Sequence, residues 1–157
     1  MTSGDREGSH AALCRALVRR AAHATLATHA KDPEGYPYAS LVAVAEDGAG
    51  RPLLCLSTLA EHTSNLLARP EVSLLFVEEG VVDPLAAGRV TLLGTCARLA
   101  PEEVGAARDA FLARHPSAAQ YVGFGDFAFY RVTPRALRWV GGFGRMSWVS
   151  AEVYASS

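Results

Sequence analysis

Lysine is almost missing from this chain: Lys31 stands alone against fourteen arginines among 15 basic residues. That skew reads as a bias of genome composition and receives no functional weight here. Cysteine is also scarce. Cys14, Cys55 and Cys96 are scattered, with no C-x-x-C and no histidine at metal-ligand spacing. This excludes a disulfide framework and fits reduced thiols in a cytoplasm. Neither charge sign dominates, since 16 acidic residues leave a net charge of −1. Without a basic excess, nucleic acid is excluded as the main partner. Long apolar runs are absent. Stretches such as Ser73 to Val77 are far too short to cross a bilayer. No charged-then-apolar leader precedes a small-residue cleavage site, so the expectation is a cytoplasmic protein outside the membrane. Ser-His-Asp order, paired-carboxylate spacing and a Walker loop are missing too, which removes the reaction classes they would announce.

What remains is a chain of 157 residues, 50% of them hydrophobic, enough for one domain with a sizeable core. Residues 1–8 are small and polar and read as a flexible N-terminus, leaving 9–157 as a single domain. Ser9 is placed to cap a helix carrying Leu13, Leu17 and Val18. Ala24 to Thr28 is a short strand, and Lys31 to Gly35 is turn chemistry. Tyr38 to Ala45 is a second strand. A turn over Glu46 to Gly50 leads into a third, Pro52 to Ser57. Thr58 to Arg69 returns to helical spacing and stops at Pro70. Val72 to Val77, continuously apolar, reads as a buried strand, and Glu78 to Gly88 as a loop. Arg89 to Leu99 is a long strand in which Gly94 marks a bulge. Pro101 opens a helix running to about His115. Phe127 to Val132 and Ala136 to Val140 are two further strands around a Thr133-Pro134 turn. Gly141 to Arg145 is too rich in glycine to be regular.

Six or seven strands joined mostly by short turns cannot make a doubly wound parallel sheet, which needs a crossover helix at nearly every step. The pattern predicts an α+β fold, an antiparallel split β-barrel with helices packed outside.

The chemistry concentrates in Ser57-Thr58-Leu59-Ala60-Glu61-His62-Thr63-Ser64-Asn65-Leu66, where a strand passes directly into a helix. The first N–H groups of a helix lack internal partners and carry the positive end of its dipole. Ser57, Thr58 and Thr63 add hydroxyls and His62 a candidate charged donor, together a seat for phosphate or carboxylate. The competing reading is structural: Ser57 or Thr58 caps the helix and Asn65 satisfies a neighbouring loop.

The spacing Ser-x-Leu-Ala-x-His-Thr-x-Asn-Leu followed by Pro70-Glu71-Val72-Ser73-Leu74-Leu75 resembles pyridoxamine 5'-phosphate oxidase-like split barrels, and within them the haem-utilisation (HugZ-type) branch. Gly35 to Val42, Arg89 to Gly94, Asp126 to Val132 and Gly141 to Arg145 resemble the family's other segments in order, so the likeness runs from about residue 10 to 150. The resemblance implies a homodimer holding FMN, or alternatively haem, in grooves between subunits. It lays Ala39, Ser40, Leu41 and Val42 along the flavin ring and sets Ser57, Thr58, His62, Thr63 and Asn65 around the phosphate. Trp139 and Arg145 would reach in from the partner. The sequence departs from flavin-binding members, which place Lys or Arg beside the helix-start serine. A lost charge-assisted hydrogen bond costs about 1.5–3 kcal/mol of affinity. It also departs from haem-degrading members, because no histidine follows His115, so another side chain, such as His62, would have to ligate.

Elsewhere, His23 and His29 flank a strand as candidate iron ligands, but nothing in the sequence pairs them; surface or capped roles compete. His115 suits a helix C-terminus. Trp139 and Trp148 fit either a planar cofactor or a dimer interface. Arg145, framed by glycine, suits an anion. The expectation is thus an FMN-dependent oxidoreductase, with a haem-binding protein or a non-catalytic dimeric module as alternatives.

Overall fold

The computed structural model describes residues 3–157, so Met1 and Thr2 of the expected flexible terminus lie outside it. Helix α1 covers Ser3–Arg20 and therefore begins six residues before the expected cap at Ser9. It is followed by β1 (His23–His29), β2 (Pro37–Ala43), a two-residue β3 (Ala45–Glu46) and β4 (Pro52–Ser57). The expected second strand is therefore broken at Val44, whose N–H donates to the Ala22 carbonyl at 3.0 Å. Next come α2 (Glu61–Ala68), β5 (Glu71–Val77), β6 (Gly88–Arg98) and α3 (Pro101–Arg114). A short 3-10 turn, Pro116–Gln120, leads to β7 (Phe127–Gly141), β8 (Met146–Ser150) and α4 (Ala151–Ala155).

All eight strands join one antiparallel sheet in the order β2-β1-β5-β6-β7-β4-β3, with β8 also on β7. It curls into the expected split barrel. The two strands expected around Thr133-Pro134 are one strand of 15 residues. On one side β7 pairs with β6. On the other, its first half pairs with β4, up to Arg131, and its second half with β8, from Ala136. Pro134 falls where that second side has no neighbour and where the β6 register shifts, so its missing N–H breaks no ladder. Opposite it, Gly94 leaves room: a Cβ there would sit 2.5 Å from the Thr133 carbonyl oxygen.

Two apolar clusters flank the sheet. One packs α1 and α4 against its concave face through Leu17, Leu26, Leu74, Leu92, Leu137 and Tyr154. The other packs α3 and the 3-10 turn against β4 and β7 through Leu53, Phe111, Ala118 and Phe129. β4 lies between the two, with Leu54 and Leu56 on one side and Leu53 and Cys55 on the other, which accounts for its unbroken apolar sequence. β5 has the same apolar character for a different reason. Val72, Leu74 and Phe76 are buried, while Leu75 points outward and is 37% exposed. No helix among the described residues is long and apolar enough to cross a membrane.

Candidate functional site

In the passage from β4 into α2, the Ser57 hydroxyl is committed inside the protein. Ser57 Oγ donates to Asp126 Oδ2 at 2.8 Å and accepts the Leu59 N–H at 3.1 Å, while the Thr58 N–H donates to the Asp126 carbonyl at 2.7 Å. Asp126 thus fixes the corner from β7's side. Asn65, fully buried, is a clip to β1: Nδ2 donates to Thr28 Oγ1 at 3.1 Å and Oδ1 accepts the Lys31 N–H at 3.2 Å. Asn65 therefore serves a neighbouring loop, as its structural reading has it, whereas neither Ser57 nor Thr58 caps α2: the cap position is Ala60, and Ser57 closes the turn before it.

The helix start itself is left open. Ala60, at the cap position, offers no side-chain acceptor. Among the described residues, the N–H groups of Glu61 and His62 have no backbone partner. Thr63 Oγ1 is 0% exposed and also has no partner. His62 Nδ1 lies 3.0 Å from Ser40 Oγ. Burial pushes the His62 pKa below its ordinary 6.5, so at neutral pH the ring is uncharged and does not serve as the cation. The cation comes from elsewhere. Lys31 Nζ lies 3.1 Å from Ser64 Oγ, in the first turn of α2. The one lysine, given no weight in the sequence, thus stands beside the first turn of α2. A separation of 33 residues hid it.

Register explains the rest of the site. In β2, Ser40 and Val42 pair with Leu26 and Ala24 and face inward, whereas Ala39 and Leu41 pair with Ala27 and Thr25 on the convex face. A row of paired residues crosses that face: Leu41, Thr25, Leu75, Thr91, Arg138 and Trp148. Leu41 is 74% and Trp148 57% exposed, and the Arg138 guanidinium sits 5.5 Å above the Trp148 ring. The next row, Ala39, Ala27, Ser73, Leu93 and Ala136, is mostly small. Its low floor helps form a cavity of about 410 Å³ walled by His29, Leu93 and Arg135 among others. Arg135 is the extra residue of the β7 bulge, so the backbone irregularity places a guanidinium in the cavity. Gly94 marks the bulge in the sequence, but that Arg135 is its extra residue is decided only by the pairing of β6 with β7.

Trp139 and Arg145 do come together, in a separate cavity of about 330 Å³ shared with His10 and Glu78, away from residues 57–65 of the same chain. Gly88 and Gly141 leave space for the Trp139 ring. His115 Nε2 bonds the Val44 carbonyl at 2.8 Å, and His23 lies 3.8 Å from Glu79. No group of three His, Cys, Asp or Glu side chains that could hold a metal occurs among the described residues. Burial pushes the Cys14 and Cys96 thiols up to about 12 and Cys55 to about 11, which leaves no nucleophilic thiolate near neutrality.

Comparison with known proteins places this geometry among relatives. The family model described as "CREG, beta-barrel" matches residues 5–156. The "Non-canonical heme oxygenase HOZ, chloroplastic" of Arabidopsis thaliana is 41% identical over 117 residues, covering 74% of this chain and 36% of that protein. The structure of a haem-binding protein from Mycobacterium smegmatis is 37% identical, with a TM-score of 0.87 over 94% of this chain and 60% of the other. A Clostridium acetobutylicum protein described as of the pyridoxinephosphate oxidase family shares the fold, at 14% identity and a TM-score of 0.70, over 94% of this chain and 98% of the other. The chain spans about a third of HOZ and 60% of the M. smegmatis protein.

Proposed function

Because the chain belongs to the CREG β-barrel family, we propose that it is a haem-binding split-barrel protein whose site lies on the convex sheet face. The observation that carries this reading is the donor set of the 410 Å³ cavity. An apolar wall (Ala27, Pro37, Leu93) stands beside one imidazole, His29, one guanidinium, Arg135, and one carboxylate, Glu71. A flat apolar macrocycle needs such a wall, an imidazole suits its iron, and a guanidinium suits a propionate. The residues present therefore fit the group. His29 replaces His62 as ligand in this reading, because His29 lines the cavity and His62 does not. The names of HOZ and the M. smegmatis protein support the haem reading. Haem supplies iron redox and ligand chemistry; this chain's residues bind it, orient it and shield one face from water.

Titration with haemin tests the proposal. A saturable Soret shift is expected. His29→Ala should change the band position, and Arg135→Gln should weaken binding about tenfold or more, as loss of a charge-assisted contact does. Absence of any Soret change ends the reading.

FMN is the second reading, favoured by the open start of α2. The unbonded N–H groups of Glu61 and His62, the orphaned Thr63 hydroxyl and Lys31 at Ser64 fit a phosphate. Thr58, exposed at the corner, adds a hydroxyl. FMN fluorescence quenching that weakens in Lys31→Ala would establish it; no quenching removes it.

Both readings call for a second copy. Leu41, Leu75, Leu93, Met146 and Trp148 form an uncovered apolar face on strands whose other face is core, and patches of this kind mark interfaces. A homodimer closing over this face would leave Trp139 out of the shared groove, contrary to the expectation from sequence, because its ring is buried in the core cluster on the other side of the sheet. Arg145, in the loop before β8, is the residue of the pair left to reach the partner's site.

A further inference from the structure

A second hollow, larger at about 660 Å³, lies between α3 and the beginning of β7. Its size falls within the range of small-molecule sites. Pro101, Val104 and Arg108 recur at helical spacing and present one stripe of α3 to it, while Val122, Phe127 and Phe129 form the facing wall. Two guanidiniums complete the lining, Arg98 at the end of β6 and Arg108 on α3. Both are exposed, and among the described residues neither forms an ion pair. The nearby carboxylates do not neutralise them. Glu103 is held by Arg131 at 2.6 Å, and Glu102 and Asp109 are outside the lining.

We propose that this groove binds an amphipathic monocarboxylate, its apolar body on Val122, Phe127 and Phe129 and its carboxylate between Arg98 and Arg108. The charge pattern selects this occupant. A neutral hydrocarbon would leave both guanidiniums unused, and inorganic phosphate would gain nothing from the aromatic wall. The groove shares no lining residue with the convex-face cavity, so the site is independent of which cofactor that cavity holds.

Calorimetric titration of the full chain at low salt with decanoate, butyrate and decanol tests the assignment. Decanoate should saturate a single site. Butyrate should not bind measurably, since each buried methylene is worth about fourfold in affinity. Decanol should bind about tenfold more weakly or worse. Arg98→Gln and Arg108→Gln, both at exposed positions, should each weaken decanoate about tenfold, as loss of a hydrogen bond to a charged group does. Decanoate should move the amide resonances of Val104, Val122 and Phe127. The proposal is overturned if decanoate shows no saturable binding or if its affinity survives both arginine substitutions. Resonance shifts confined to Leu41, Leu75 and Trp148 would also overturn it. Val122→Trp should block the groove; should it fail to fold, the two arginine variants still decide.

Discussion

Thr63 holds a hydroxyl that is buried without a partner, which costs stability in the free chain. Thr63→Val keeps the shape and removes the polarity. Urea denaturation should show the variant more stable by about 1 kcal/mol, while FMN or phosphate binding at α2 weakens. A loss of stability would mean that the hydroxyl does have a partner. His62 gives a pH signature. Its pKa is depressed on folding by burial, so the unfolded chain binds the proton better. The contribution is complete above the ordinary value of 6.5, falls as pH drops below it and levels off beneath the folded pKa. Urea midpoints measured from pH 8 to pH 5 should decline more steeply in the parent than in His62→Gln. Equal slopes would show that the ring is not desolvated.

At the scale of elements, two glycines with opposite surroundings test the account of the strands and helices. Gly94 sits at the β6 bulge, where an added Cβ meets the Thr133 carbonyl oxygen at 2.5 Å and Val132 Cγ1 at 2.8 Å. Backbone on that side cannot give way cheaply, so Gly94→Ala should lower stability by about 1–3 kcal/mol. The same change disturbs the bulge that places Arg135, so haemin affinity should fall with it. Gly105, in the middle of α3, has nothing within 4 Å of its added Cβ. Gly105→Ala should therefore raise stability by about 0.5–1 kcal/mol. Thermal melts of the two variants should move in opposite directions.

For the whole molecule, the convex face is the feature that a single chain leaves unfinished. β5 and β6 each carry a leucine on the outer face, Leu75 and Leu93, and both remain 37% exposed. Light scattering on size-exclusion fractions should give twice the 16.6 kDa chain mass. Leu41→Asp together with Trp148→Asp should return the protein to a monomer while leaving the melting cooperative, because both side chains lie outside the core clusters. A monomeric parent would remove the shared-groove reading.

Most elements were legible in the sequence because their signals are local. A short β-compatible run ahead of turn residues placed β1, Pro70 ended α2, Pro101 opened α3, and the Glu46 to Gly50 turn marked a hairpin. Gly94 was readable as a bulge for the same reason. What failed were the cases where a distant partner overrides a local signal. Pro134 looks like a turn until the unpaired side of β7 is known, and β8 and α4 follow a glycine-rich loop that gave no hint of them. The site divides in the same way. The hydroxyl-rich corner at Ser57 to Thr63 was visible as a run of residues. Which groups stay free was decided only when Asp126 took Ser57, Thr28 and Lys31 took Asn65, and the Lys31 ammonium arrived beside Ser64. Propensity and alternation act between near neighbours and are written in order along the chain. Hydrogen-bond partners, desolvation and charge proximity depend on distances through space, which only the folded sheet establishes.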